Sequence, residues 1–289
     1  MKGGKDLNLA DKKNVKKILD EEGFSFKKSL GQNFITDDTV CPRMAAAAAD
    51  KETGVLEIGP GAGVLTLALS AAAGRVVSIE IDERLRPVLT KTLENCKNTK
   101  VVFGDVLKTD LAALIAEEFA DCKRVTVCAN LPYYITSPVI MRLIESKLPI
   151  DSITVMVQKE AADRLCAEVG TRAAGAVTAA VRYYAAPEML FAVPRIAFVP
   201  QPKVDSAVIK LDILKQPPVE VKNEEMFFRV IRACFAQRRK TLLNTLSNTM
   251  GFEKERVRTA LAGLDIPDTV RGETLTLKQI ADISNLFSE

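Results

Sequence analysis

Ala129-Asn130-Leu131-Pro132-Tyr133-Tyr134 closes an apolar run in a chain of 289 residues that contains no histidine. The commonest general base is therefore missing, and chemistry here must run on positioning and electrostatics. The Asn130 side-chain carbonyl and the Leu131 backbone carbonyl can together accept hydrogen bonds from a planar exocyclic amine. Tyr133, restrained by Pro132, can stack on the base that carries that amine. Such an amine is a poor nucleophile because its lone pair is delocalised into the ring. Two acceptors on its protons favour a pyramidal nitrogen and aim the lone pair at an electrophilic methyl. The methylated nitrogen is cationic and sheds its proton to water, so no imidazole is needed. Read as structure alone, the same stretch is a proline turn with aromatic packing.

Three further places carry residues of matching chemistry. "EIGPGAGVLT" (57–66) sets Gly59, Gly61 and Gly63 between an apolar run and a helical pattern, where backbone without Cβ atoms can approach a ligand closely. The dinucleotide fingerprint G-x-G-x-x-G would need glycine at position 64, where valine stands. Glu80, in "SIEID", follows the first glycine by about twenty residues, the spacing at which a carboxylate accepts from both ribose hydroxyls. Asp82 beside it reads as a solvated strand-end acid. Asp105 ends the next apolar run and is placed either to meet an adenine amine or to cap a helix. Each position has a bland reading; four successive strand ends with complementary chemistry point to one nucleotide-type site.

The elements that must hold these tips alternate. Strands are expected at "GVLEI" (54–58), "RVVSIEI" (75–81), "KVVFG" (100–104), "RVTVCA" (124–129), "SITVMVQ" (152–158), "EMLFAV" (188–193) and "SAVIKLDI" (206–213), with helical patterns between the first five. The class is α/β: a mainly parallel sheet covered on both faces, with an antiparallel hairpin at its edge. "LKQPPVEVK" (214–222) reads as a linker. Beyond it only helices are expected: "EEMFFRVIRACFAQRRKTLLNTL" as one long helix ended by Gly251, then "EKERVRTALAG", then "TLKQIADISNLF" opened by the capping box Thr276-x-x-Gln279. The division is a charged N-terminal extension (1–26), a sheet domain (27–213), the linker (214–222) and a small all-helical domain (223–289).

Composition bounds the rest. Hydrophobic residues make up 47% and charged residues 27%, ordinary for a globular protein with a full core. No run approaches the ~20 apolar residues of a spanning helix, and the charged N-terminus leaves no room for a signal-peptide core, so a cytoplasmic protein is expected. Six scattered cysteines without a CxxC pair or a histidine argue for reduced core thiols and against zinc; no metal is expected. Net charge is only +3, but its distribution is uneven. Between Met226 and Met250 there is no acid, while Arg229, Arg232, Arg238, Arg239 and Lys240 are present. Arg229, Arg232 and Arg239 are expected on one helical face, opposite an inward face of Phe227, Ile231, Cys234 and Phe235. A stripe like this is usually a solvated surface; the lack of acids tips it toward phosphate contacts.

Taken together, "LGQNFITD" (30–37), "EIGPGAGVLT", "SIEID", "GDVL", "ANLPYYITSP", "VMVQKEAADRL", "FVPQPKVDSAVIKL" (198–211) and "CFAQRRKTLLNTL" (234–246) resemble the ribosomal RNA adenine N6,N6-dimethyltransferases, most closely their small-subunit (16S) branch. The resemblance runs from about Lys27 to the C-terminus. It implies a Rossmann-like class I methyltransferase fold and a site for S-adenosylmethionine. Asn33 and Ile35 would close one side, Gly59 and Gly61 would line the methionine end, Glu80 would hold the ribose and Asp105 would meet the adenine. Asn130 would bridge cofactor and target amine, and Tyr133 and Phe198 would sandwich the target base. The implied partner is 16S rRNA in the small ribosomal subunit or its precursor, methylated at two adjacent adenosines of a hairpin near the 3′ end; no membrane or obligate protein partner is implied. Two features depart from the family: Ala174-Gly175 stands where it often shows Tyr-Gly, and the extension before Lys27, long and charged, reads as a mobile arm.

Three other readings stay open. One is the sister enzyme of large-subunit (23S) rRNA that confers macrolide resistance, against which the helical C-terminal domain and "PKVDSAVIKL" weigh. Another is a mainly non-catalytic checkpoint in subunit assembly. The third, a nicotinamide dehydrogenase, is disfavoured by Val64 and by the absence of a hydride-transfer acid.

Overall fold

The computed structural model describes residues 12–24, 33–237 and 239–288. The chain forms two compact units: residues up to Ala162 with Glu188–Ile213, and Asp163–Pro187 with Leu214–Glu289.

The first unit is built on a seven-stranded sheet. Its strands are β1 (Thr53–Ile58), β2 (Arg75–Glu80), β3 (Thr99–Phe103), β4 (Arg124–Asn130), β5 (Ser152–Gln158), β6 (Ala185–Val193) and β7 (Ser206–Ile213). Their spatial order is β3-β2-β1-β4-β5-β7-β6. The pairs among β3, β2, β1, β4 and β5 are parallel, whereas β7 runs antiparallel to β5, with Val155 opposite Ile209. β1, β4 and β5 are near-continuous apolar runs because both faces of the sheet are covered. The cover comes from α2 (Val40–Ala48), α3 (Val64–Ala72), α4 (Arg86–Thr92), α5 (Leu111–Glu118) and α6 (Thr136–Glu145), which follow or precede the strands in turn. Asp110 starts α5 by accepting from the Ala113 N–H at 3.0 Å. The strand order reverses between β1 and β4, which places a crevice above the carboxyl ends of those two strands.

The N-terminal extension is not simply a mobile arm. α1 (Lys12–Glu21) buries Ile18 and Leu19, and with Phe24 they pack against Phe34, Ala62, Leu85, Val88 and Leu89. The adjacent Ile18 and Leu19 give that helix its buried side, and Phe24 joins them just past its end. Lys27, Lys28 and the Leu30–Gln32 part of "LGQNFITD" lie outside the described residues.

The second unit differs from the sequence expectation at two points. Residues 163–187, expected within the sheet domain, pack with the C-terminal helices. Ala179 and Tyr183 of α8 (Ala176–Tyr184) share a core with Phe227, Val230, Ile231 and Leu246. α7 (Lys159–Cys166) leads into this segment, and Gly175 opens α8 with its N–H on the Thr178 Oγ1 at 2.9 Å. Ala174 is fully buried. The expected long helix is broken into α9 (Glu224–Ala236) and α10 (Leu242–Met250). Thr241 supplies the reason, because its hydroxyl accepts from the Asn244 N–H and starts a new helix. α11 (Lys254–Ala262) and α12 (Leu277–Leu286) follow, the latter opened by the Thr276/Gln279 capping box. Among the described residues no helix is long and apolar enough to cross a membrane.

Candidate active site

The glycine loop after β1 has left-handed backbone at each of its three glycines, with φ of 72° at Gly59, 58° at Gly61 and 89° at Gly63. A side chain at Gly61 would put its Cβ 2.8 Å from the Phe34 ring, so the loop and that ring must approach more closely than any other residue allows. Val64 is the first residue of α3, which explains why no glycine is needed there. Glu80 ends β2, is nearly buried, and accepts from the Asp82 N–H at 2.8 Å and the Gly61 N–H at 3.2 Å. Burial pushes its carboxyl pKa up, against the pull of those two N–H groups. Asp82 is buried rather than solvated, and it grips the Arg84 guanidinium at 2.5 Å.

Two cavities open above the carboxyl ends of the strands and share Gly59 and Pro132 in their walls. The first contains Glu80 and Asp105 among apolar Ile58, Ile79, Ile81, Val106, Tyr134 and Ile135. Apolar walls with two carboxylates fit an adenosine: the rings bury, and its amine and hydroxyls meet acceptors. Asp105 commits one oxygen to the Leu107 N–H at 2.9 Å, and its other oxygen is 3.8 Å from Lys108.

The second cavity brings together Asn33, Ile35, Gly59, Gly61, Asn130, Leu131, Tyr133 and Phe198. Residues more than 160 positions apart meet here because a short antiparallel pair sets Phe34 opposite Val199 and Ile35 opposite Phe198. Asn130, at the tip of β4, donates its Nδ2 to the Asn33 carbonyl at 3.3 Å. That bond assigns the amide's donor head and leaves its carbonyl head to act as acceptor. Tyr133 is half-buried, and its hydroxyl is 3.0 Å from the Ser206 Oγ at the start of β7. Phe198 lines the cavity but is itself packed in the core with Ile35, Met44, Met156 and Val208.

Two buried polar residues near the site escaped the sequence reading. Ser206, fully buried, fixes the reach of Tyr133; the only signal was its place in "VDSAVIKL", where a serine opens an apolar strand. Glu57, inside β1, is fully buried and accepts from Thr66 at 2.7 Å and Ser78 at 2.5 Å on Oε2, while Oε1 has no partner among the described residues. Burial pushes its pKa up to about 7, so near neutrality a good part of it is uncharged. An acid at a strand's inward face was visible in "GVLEI", but period-two alternation does not tell a buried acid from a strand facing water.

Of the basic residues, Arg229 and Arg232 are exposed on α9. Arg239 and Lys240 are exposed too but follow the helix, so the three-arginine helical face is reduced to two, with Arg238 outside the described residues. Phe227, Ile231 and Cys234 face the core of their unit. All six cysteines are free, and no three potential metal ligands cluster among the described residues.

The model of the ribosomal RNA adenine dimethylase family matches residues 23–289. The ribosomal RNA small subunit methyltransferase A of Geobacillus thermodenitrificans (strain NG80-2) is 50% identical over 282 residues, covering 96% of both chains. Its namesake from Bacillus pumilus (strain SAFR-032) is 46% identical over 286 residues, 98% of both. Among solved structures, a dimethyladenosine transferase from Plasmodium falciparum aligns at 27% identity and a TM-score of 0.69, over 86% of this chain and 95% of that one. The 23S rRNA methyltransferase ErmE aligns at 26% and 0.67, over 89% and 100%.

Proposed function

This chain belongs to the ribosomal RNA adenine dimethylase family, and from that membership we propose that it methylates the N6 amines of two adjacent adenosines in the hairpin near the 3′ end of small-subunit (16S) rRNA, during subunit assembly in the cytoplasm. The methyl donor is S-adenosylmethionine. Glu80 holds its ribose, Asp105 meets its adenine, and Gly59, Gly61, Asn33 and Ile35 enclose its methionine end. Once bound, the donor supplies a methyl group on a positively charged sulfur.

The chain's own residues do the rest. The target base enters between Tyr133 and Phe198, which bind it by stacking. The Asn130 Oδ1 and the Leu131 carbonyl accept from the N6 amine, turning its lone pair out of the ring plane and holding it in attack geometry. The cationic product loses its proton to water, which suits a site without histidine. The observation that supports this reading is the Asn130–Asn33 bond, which commits the amide's donor head and leaves its carbonyl head available to accept in the second cavity. The small-subunit substrate rests on relatives 46–50% identical, whereas the large-subunit enzyme is 26% identical.

The test is transfer of tritiated methyl groups to unmethylated small and large subunits, followed by mapping of the modified nucleotide. Label in two neighbouring adenosines of the small subunit is expected; label confined to the large subunit would reject the assignment. Arg229 and Arg232 contribute phosphate contacts. Reversing both to glutamate should lower the log–log salt slope of subunit binding by about two while leaving cofactor affinity intact. An unchanged slope would make this helix face a solvated one.

A further inference from the structure

Among the described residues five large apolar side chains are exposed. Ile81 and Tyr134 line the adenosine cavity, and Leu286 ends α12. The remaining two, Ile196 at 72% and Val204 at 45% exposure, have no role in the site as derived so far. Both sit in the connection from β6 to β7, each two residues from an anchor of the target-base cleft. Ile196 precedes Phe198, and Val204 precedes Ser206, which holds Tyr133.

This connection is braced. The Arg195 N–H donates to the Asp205 carboxylate at 2.9 Å and its guanidinium to the Lys203 carbonyl at 3.3 Å. The Ala197 carbonyl accepts from the Thr36 N–H at 2.8 Å. These bonds draw positions 195 and 203–205 together, so Ile196 and Val204 stand on one stiff knuckle at the rim of the cleft, with the exposed cations Arg195 and Lys203 next to them in sequence. Braced aliphatic groups held in water, flanked by two cations against the single carboxylate of Asp205, are unfavourable for a free protein and suited to a surface that is both apolar and anionic. A base stack edged by phosphates is such a surface.

We propose that this knuckle is a wedge that enters the base stack of the target RNA where an adenosine has left it, Ile196 and Val204 covering the exposed neighbouring base while Arg195 and Lys203 meet the adjoining phosphates. The inference rests on the reading of the preceding subsection. Extruding a base loses its stacking on its neighbours, and apolar side chains pushed between base steps offset that loss in other nucleic-acid complexes. The wedge thus lowers the cost of presenting the amine to Asn130 without touching it.

The test compares Ile196→Ser with Ile196→Leu on two small-subunit substrates. Both are reconstituted on 16S rRNA ligated to a synthetic 3′ segment. One carries the natural base flanking the adenosine pair, and the other an abasic nucleotide at that flank, so that both target adenosines remain and the nearer one is already unstacked on that side. On natural subunits Ile196→Ser should transfer methyl groups at least ~10-fold more slowly, with Ile196→Leu close to wild type. On the abasic substrate the serine variant should recover to within about threefold of wild type, because little stacking is left to break. Equal loss on both substrates, or no loss on either, would overturn the wedge. A wild-type protein that methylates neither would instead overturn the assignment on which the wedge rests.

Discussion

The two ends of one sheet carry similar residues to opposite effect. At the amino end, a hollow is lined by Asp50, Thr53, Arg124, Asp151, Ser152, Lys210 and Asp212. Its charges answer one another: Arg124 pairs with Asp50, Lys210 with Asp212 at 2.9 Å, and Asp151 accepts from the Val125 N–H. The Arg124, Asp50 and Asp212 side chains are all about half exposed, so water screens what remains. At the carboxyl end the acceptors are fewer and drier. Glu80 is desolvated and held by backbone N–H groups beside a glycine loop, and Asn130 has its donor committed to Asn33. A polar hollow becomes a site when its groups are fixed from behind and left unmatched in front.

The largest effect expected at the carboxyl end is on Asn130. Asn130→Ala should slow single-turnover methyl transfer at saturating S-adenosylmethionine by at least ~10²-fold, with RNA affinity little changed, because stacking and phosphate contacts dominate that affinity. A near wild-type rate would remove the amine-positioning role. Glu80→Ala should weaken cofactor binding by about 1.5–3 kcal/mol by calorimetry, the range for hydrogen bonds to a charged group. Unchanged affinity would reduce Glu80 to a clamp on Gly61.

Glu57 sharpens the contrast through pH. Its folded pKa is raised from the ordinary 4.5 to about 7, so the unfolded chain binds fewer protons than the folded one in that window. Its contribution to stability is therefore full below the ordinary value and is lost as pH rises toward 7. Glu57→Gln, which stays neutral, should gain about 2–3 kcal/mol relative to wild type between pH 5 and pH 8 in denaturant titrations. A pH-independent difference would mean that Glu57 is ionised when folded. The smallest effect belongs to the amino end: Asp212→Asn should change stability by less than about 0.5 kcal/mol and leave transfer untouched. A loss of transfer there would erase the distinction between the two ends.

Much of this was legible before any coordinates. The strands of the sheet announced themselves as apolar runs, and the convergence of Gly59, Glu80, Asp105 and Asn130 on the cavities at the strand tips was legible because strand tips of an open parallel sheet face one crevice. What stayed hidden depended on partners far along the chain. Asn33 reaches Asn130, and Tyr133 reaches Ser206, through pairings that local periodicity does not encode. The break at Thr241 was a cap competing with a run of good helix formers, and the cap prevailed. The packing of residues 163–187 with the C-terminal helices followed from a shared aromatic core, Tyr183 with Phe227 and Phe228, that lies across two stretches of sequence.

The contrast between the two ends is tested most directly by hydrogen exchange of the whole chain with and without S-adenosylhomocysteine. Amides at 59–64, 80–82 and 104–107 should slow when the ligand is added, while those at 46–53, 124–126 and 210–212 keep their rates. Slowing confined to the amino-end segments, or no slowing at the glycine loop under saturating ligand, would contradict the placement of the site at the carboxyl ends of the strands.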